Sequence, residues 1–90
     1  MKQFLVEVFT PRAAAGMLAS AEQRAAVAAT QLAAADVAVR YVRATYIPDD
    51  ELCFFVFDAA SGHDAALAAQ RAGLDPIRVV EVVSSIKEEQ

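Results

Sequence analysis

The sequence predicts an α+β sandwich, a four-stranded antiparallel sheet with two helices on one face. Three observations predict it. Strand-type and helix-type apolar periodicities alternate along the 90 residues in the order β-α-β-β-α-β. The middle strands are separated only by the acidic turn Pro48-Asp49-Asp50, so they form a hairpin. Two right-handed β-α-β crossings interleaved in this way bring all the strands into one sheet.

Each element has its own justification. Lys2–Phe9 alternates, with Phe4, Val6 and Val8 on one face and Leu5, Glu7 and Phe9 on the other. Thr10-Pro11 reads as a helix entrance, threonine as N-cap and proline at the first helical position. Over residues 12–35, Met17, Leu18, Ala21, Ala25, Ala28 and Leu32 recur at helical spacing, while Ser20, Gln23, Arg24, Thr30 and Gln31 are left to water. Gly16 weakens the first turn. Val39–Ile47 is the second strand, with Val42, Ala44 and Tyr46 on one side and Tyr41, Arg43 and Thr45 on the other.

Residues 51–58 are almost continuously apolar, as expected of a central strand covered on both faces. Ser61-Gly62-His63-Asp64 is a capping box opening the second helix, with Asp64 in place of the usual glutamate. Gly73 ends that helix after Ala72, and Leu74 is placed for the apolar contact that follows a glycine C-cap. Asp75-Pro76 turns the chain into a last strand over about residues 78–85. The expected domain is residues 1–86, with 87–90 a polar tail. The topology is that of a ferredoxin-like sandwich with strand order 4-1-3-2, which puts the most apolar strand inside.

Composition excludes several classes of function. Apolar residues are 57% of the chain and charged residues 22%, the balance of a folded domain. Net charge is −4 and the eight basic residues are scattered, so no basic stripe exists to collect nucleic-acid phosphates. The strand pattern begins at Lys2, so no signal peptide is expected. The early apolar run is interrupted by Ser20, Glu22, Gln23 and Arg24, too soon for a membrane span. Cys53 is the lone cysteine, so no disulfide forms within the chain. A cytoplasmic protein is expected. Much of the apolar fraction is alanine, and one sheet face has no helix over it, so a homodimer is the expected assembly.

The open face is where candidate site residues gather. If Phe4, Val6, Val8, Val42, Tyr46, Val80 and Val82 face the helices, the other face receives Leu5, Glu7, Phe9, Tyr41, Arg43, Thr45, Val79, Glu81 and Val83. Glu7 and Glu81 lie on neighbouring strands; adjacent carboxylates on a partly dry face hold a cation, share a proton or pair with Arg43. Glu7, Tyr41, Arg43 and Glu81 are therefore the candidate ligand-binding set. The bland alternative is an ion-pair set that fixes a dimer register. His63 is the lone imidazole; a metal site would join it to Glu51, Glu7 or Glu81 across a dimer. Cys53 reads as a small core residue. No glycine-rich phosphate loop, nucleophile elbow or paired-cysteine motif occurs.

The progression from Arg40-Tyr41-Val42-Arg43-Ala44-Thr45-Tyr46-Ile47-Pro48-Asp49-Asp50-Glu51-Leu52-Cys53-Phe54, through Ala59-Ala60-Ser61, to Arg71-Ala72-Gly73-Leu74 resembles a family of small bacterial domains of unknown function. One type in that family is a nickel-binding protein. The likeness extends over residues 4–83 and matches the family pattern at Tyr41, Asp50, Glu51, Cys53, Arg71 and Glu81. It implies a ferredoxin-like, dimeric α/β-barrel-type fold and a divalent metal such as nickel as candidate cofactor. Fold analogy adds a cofactor-free monooxygenase or isomerase as an alternative. Its pocket would be lined by Leu5, Phe9, Tyr41, Arg43, Phe55 and Glu81. The leading expectation is a homodimeric domain that binds a small molecule or a divalent metal on or beside the open sheet face.

Overall fold

The structure, a computed structural model, describes residues 1–83. Its elements are β1 (Lys2–Phe9), α1 (Leu18–Ala34), β2 (Val39–Ile47), β3 (Leu52–Ala59), α2 (Gly62–Arg71) and β4 (Pro76–Val82). The strands form one sheet in the order β2-β3-β1-β4, with every neighbouring pair antiparallel. This is the expected order seen from the opposite edge, and the fold is ferredoxin-like α+β. The expected extension of the last strand to residue 85, and the tail at 87–90, lie outside the described residues.

The core fills the space between the sheet and the helices. Phe4 and Val6 from β1, and Cys53, Phe55 and Phe57 from β3, are buried there. The helix side of this core is almost entirely alanine: Ala21, Ala25, Ala28 and Ala29 with Leu32 from α1, and Ala65, Ala68 and Ala69 from α2. Methyl groups let the helices lie close to the sheet, and the phenyl rings supply the volume. Among the described residues no helix is long and apolar enough to cross a membrane.

The helix ends follow their local chemistry. Ser61 caps α2, its hydroxyl accepting the Asp64 N–H at 3.2 Å. Gly73 ends α2 with φ of +80°; the Leu74 N–H then reaches the Ala69 carbonyl and the Gly73 N–H that of Gln70. α1 ends in the same hydrogen-bond pattern, Val37 to Leu32 and Asp36 to Ala33, but with Asp36 in the left-handed position at φ 68°.

The entrance to α1 differs from expectation. Arg12–Met17 is a 3₁₀ segment, and α-helix begins only at Leu18. Thr10 is not the N-cap. Its hydroxyl donates back to the Val8 carbonyl at 3.3 Å, and Pro11 flanks the 3₁₀ segment from outside. Met17 faces solvent rather than the core, at 63% exposure. Four small residues in a row, Ala13 to Gly16, offer too little apolar surface to hold this segment in a regular helix against the sheet.

Two strands also present their faces differently from the simple alternation. In β2, Tyr41 pairs with Phe57 and Arg43 with Val56, so Val42 is the extra residue of a β-bulge. Tyr41 therefore joins the helix-side core while Arg43 and Thr45 stay on the open face. In β4, Val79 lies opposite Val6 and Glu81 opposite Phe4, which puts both on the helix side; Val80 and Val82 take the open face.

Candidate functional site

The end of β1 and the start of α1 build a pocket at one corner of the sandwich. Val8, Phe9 and Thr10 bring the chain to the sheet rim, Pro11 turns it, and the 3₁₀ segment crosses above. Beneath lies Phe55 of β3, and the far wall is the loop Gly73, Leu74 and Asp75 between α2 and β4. Ala14, Met17, Leu18, Ala21 and Arg24 close the helical side, around a volume of about 250 Å³. The walls are apolar except for Thr10, Arg24 and Asp75.

A set of hydrogen bonds between distant parts of the chain fixes the rim. The Thr10 N–H donates to the Glu51 carbonyl at 2.7 Å, and the Tyr46 hydroxyl donates to the Thr10 carbonyl at 2.9 Å. The Glu51 carboxylate accepts the Arg12 N–H at 2.9 Å, so a residue from the β2–β3 turn caps the 3₁₀ segment. The Arg12 side chain returns the contact, donating to the Pro48 carbonyl and to Asp49, both at 3.2 Å. Glu51 holds this position in a left-handed conformation, φ 52°, unusual for a residue with a side chain.

Arg24 joins the helices at the pocket wall. Its Nε donates to the Ala72 carbonyl at 2.9 Å, and an Nη donates to the Ser20 hydroxyl at 3.2 Å. On the outer side Arg24 also borders a groove of about 360 Å³ between α1 and α2. Six of that groove's eight lining residues are exposed, and its apolar lining is limited to Val27, Ala28 and Ala72.

The expected site residues fall in separate places. Glu7 is on the open face, as expected, but its carboxylate accepts Arg78 Nε at 2.6 Å. Glu81 faces the other way, with Lys2 at 4.0 Å, so the two carboxylates are not adjacent. Arg43 lies on the open face and does not pair with either of them. The Tyr41 hydroxyl donates to Glu22 of α1, a residue that no motif in the sequence singles out. The Tyr41 ring meets Phe57 edge-on, with centroids 5.5 Å apart. Burial, reinforced by the Glu22 carboxylate, pushes the phenol pKa well up. Of the expected pocket residues only Phe9 and Phe55 line the pocket observed.

His63 and Glu51 stand at opposite ends of β3, an eight-residue strand spanning about 26 Å. One chain does not bring them together. Among the described residues no group of three or more His, Cys, Asp and Glu side chains converges to hold a metal ion. Cys53 is fully buried, as a core residue should be, and burial together with the Glu22 charge pushes its thiol up to about 11.

No family model matches the chain, and no curated protein is similar to it. Among solved structures it is similar to SCO4226 from Streptomyces coelicolor A3(2), with TM-score 0.70 and 17% identity over 93% of this chain and 99% of that one. At that identity the likeness is one of fold, and it places the chain among small α+β domains with a four-stranded antiparallel sheet.

Proposed function

We propose that this chain is a homodimeric small-molecule-binding domain. In this reading the open sheet face joins two copies, and the pocket beneath the 3₁₀ segment takes a small, largely apolar ligand. The pocket carries the reading: an apolar hollow between sheet and helices, with few polar groups and a rim fixed by Glu51, Arg12 and Tyr46. The open face supports the dimer. Leu5, Phe54, Val80 and Val82 are only half-buried there with no helix over them. Two of its ion pairs, Glu7 with Arg78 and Arg40 with Asp58, are already made within the chain, so a second copy would cover those four charges without stranding them, while Arg43 would need an acceptor from the partner copy. The metal role that the resemblance implies would have to draw His63 and Glu51 from different protomers.

Indole, apolar and uncharged, serves as the probe in two-dimensional NMR. It is expected to shift the amide signals of Ala14, Leu18 and Leu74, and Ala14→Phe, which fills the hollow, is expected to abolish those shifts. Shifts that persist in Ala14→Phe, or that fall elsewhere, overturn the pocket reading. Sedimentation at high micromolar concentration tests the assembly. A dimer that Val80→Asp converts to monomer supports it, and a monomeric wild-type protein removes it.

A further inference from the structure

We infer that the ligand of this pocket is a small apolar zwitterion of the amino-acid type, its carboxylate taken by Arg24 and its ammonium group by Asp75. The inference rests on the pocket reading above and goes further, to the chemistry of the ligand. Two side chains of opposite sign line one apolar hollow without pairing with each other. The ion pairs among the described residues are Lys2–Glu81, Arg12–Asp49, Arg40–Asp58 and Arg78–Glu7, and neither Arg24 nor Asp75 takes part in one.

Arg24 is prepared for an anion. Its guanidinium plane is held by the Ala72 carbonyl on Nε and by Ser20 on one Nη, which leaves N–H groups of the fork uncommitted. Asp75 has no hydrogen-bond partner for its carboxylate among the described residues and sits on the same loop that Arg24 fastens. Thr10, the remaining polar side chain of the lining, has its hydroxyl proton committed to Val8. The exposed Arg24 and Asp75 therefore offer a ligand one positive and one negative partner beside an apolar body. A simple carboxylate would leave Asp75 repelling it, a simple amine would meet Arg24, and an uncharged molecule would satisfy neither. About 250 Å³ is also below the range of drug-sized sites, about 300–1,000 Å³, which suits an amino acid with a branched side chain better than a cofactor.

Leucine, 4-methylpentanoate and 3-methylbutylamine share one isobutyl body and differ only in which charge they carry, so titrating all three by NMR reads each charge separately. Leucine is expected to bind tightest. Each singly charged analogue is expected to be weaker by about two- to fivefold or more, the range for ion pairs at a solvent-open rim. Arg24→Gln should weaken leucine and leave the amine unaffected or improved. Asp75→Asn should weaken leucine and leave the carboxylate unaffected or improved. Since Arg24 also fastens Ala72, the exposed Asp75→Asn variant keeps the test decisive should Arg24→Gln fail to fold. If 4-methylpentanoate binds as well as leucine, the site is an anion site and the inference falls. If indole shifts Leu18 and Leu74 while leucine does not, the pocket reading survives and the zwitterion is refuted. If neither probe shifts those signals, both readings are overturned.

Discussion

Replacing Glu51 tests how the pocket rim is held, because this residue carries two opposing terms. Its carboxylate caps the Arg12 N–H at 2.9 Å, while its backbone sits at φ 52°, where a side chain is unfavourable. Loss of an N-terminal capping acceptor costs about 1 kcal/mol. The left-handed conformation costs a residue with a side chain about 1–2 kcal/mol relative to glycine. Glu51→Ala removes the acceptor and keeps the strain, so it should destabilise by about 1 kcal/mol. Glu51→Gly removes both, and strain relief should roughly offset the lost cap. Glu51→Gln retains an acceptor and should stay near wild type. For a domain of this size about 1 kcal/mol moves Tm by about 4–8 °C, which thermal unfolding followed by circular dichroism resolves. The expected Tm order is Gln near wild type, Gly close behind and Ala lowest. A Glu51→Gly variant less stable than Glu51→Ala would refute the strain term, and an unaltered Glu51→Ala would refute the cap.

Outcomes at three other positions follow. Asp36→Gly places the permissive residue at φ 68° and should stabilise the fold by about 0.5–1 kcal/mol, measured by urea unfolding; a loss of stability would show that the Asp36 side chain contributes. The Cys53 thiol should resist a disulfide-exchange reagent in the native state and react on unfolding. Its raised value also means that the unfolded chain loses the proton from about 9 while the folded chain keeps it to about 11, so stability falls as pH rises through that window, and Cys53→Ala should flatten the fall. Asp58 is held below its ordinary 3.8, chiefly by the Arg40 hydrogen bond, with Gln3 adding to it against the opposing effect of burial. That contribution is complete above pH 3.8 and is lost as pH falls toward the lower folded value, so Asp58→Asn should be less acid-sensitive than wild type in urea titrations below pH 4.

Much of this architecture was legible in the sequence, and the exceptions have physical causes. Strand order, both helices and the Ser61 and Gly73 caps follow from periodicity and local chemistry. The bulge at Val42 did not, because no glycine marks it and the residues after it alternate correctly: Ala44 and Tyr46 face the helices. Only the residue before it, Tyr41, changes sides. In β4 the run Val79-Val80-Glu81-Val82-Val83 has apolar residues at both parities, so composition could not choose a face; pairing with β1 does. The open-face carboxylate pair failed for that reason. The pocket was missed because its roof is a 3₁₀ segment of small residues, and its cap comes from Glu51, 39 positions away. Helical phase leaves Arg24 to water, which is correct for its exposure and silent about its contact with Ala72.

The alanine layer gives this domain an uneven tolerance to sequence change. On the sheet, truncating Phe55 or Phe57 would open a cavity, because the helix side is mostly alanine methyls, with few larger side chains such as Leu32 to move in. On the helices, truncation has almost nothing to remove, and the damaging direction is growth at Ala25, Ala65, Ala68 or Ala69, which are completely buried. A substitution scan should therefore divide by layer, with strands intolerant of smaller residues and helices intolerant of larger ones. Lineages that keep this fold would diversify mainly through the exposed surface and the 3₁₀ corner, where the pocket lies.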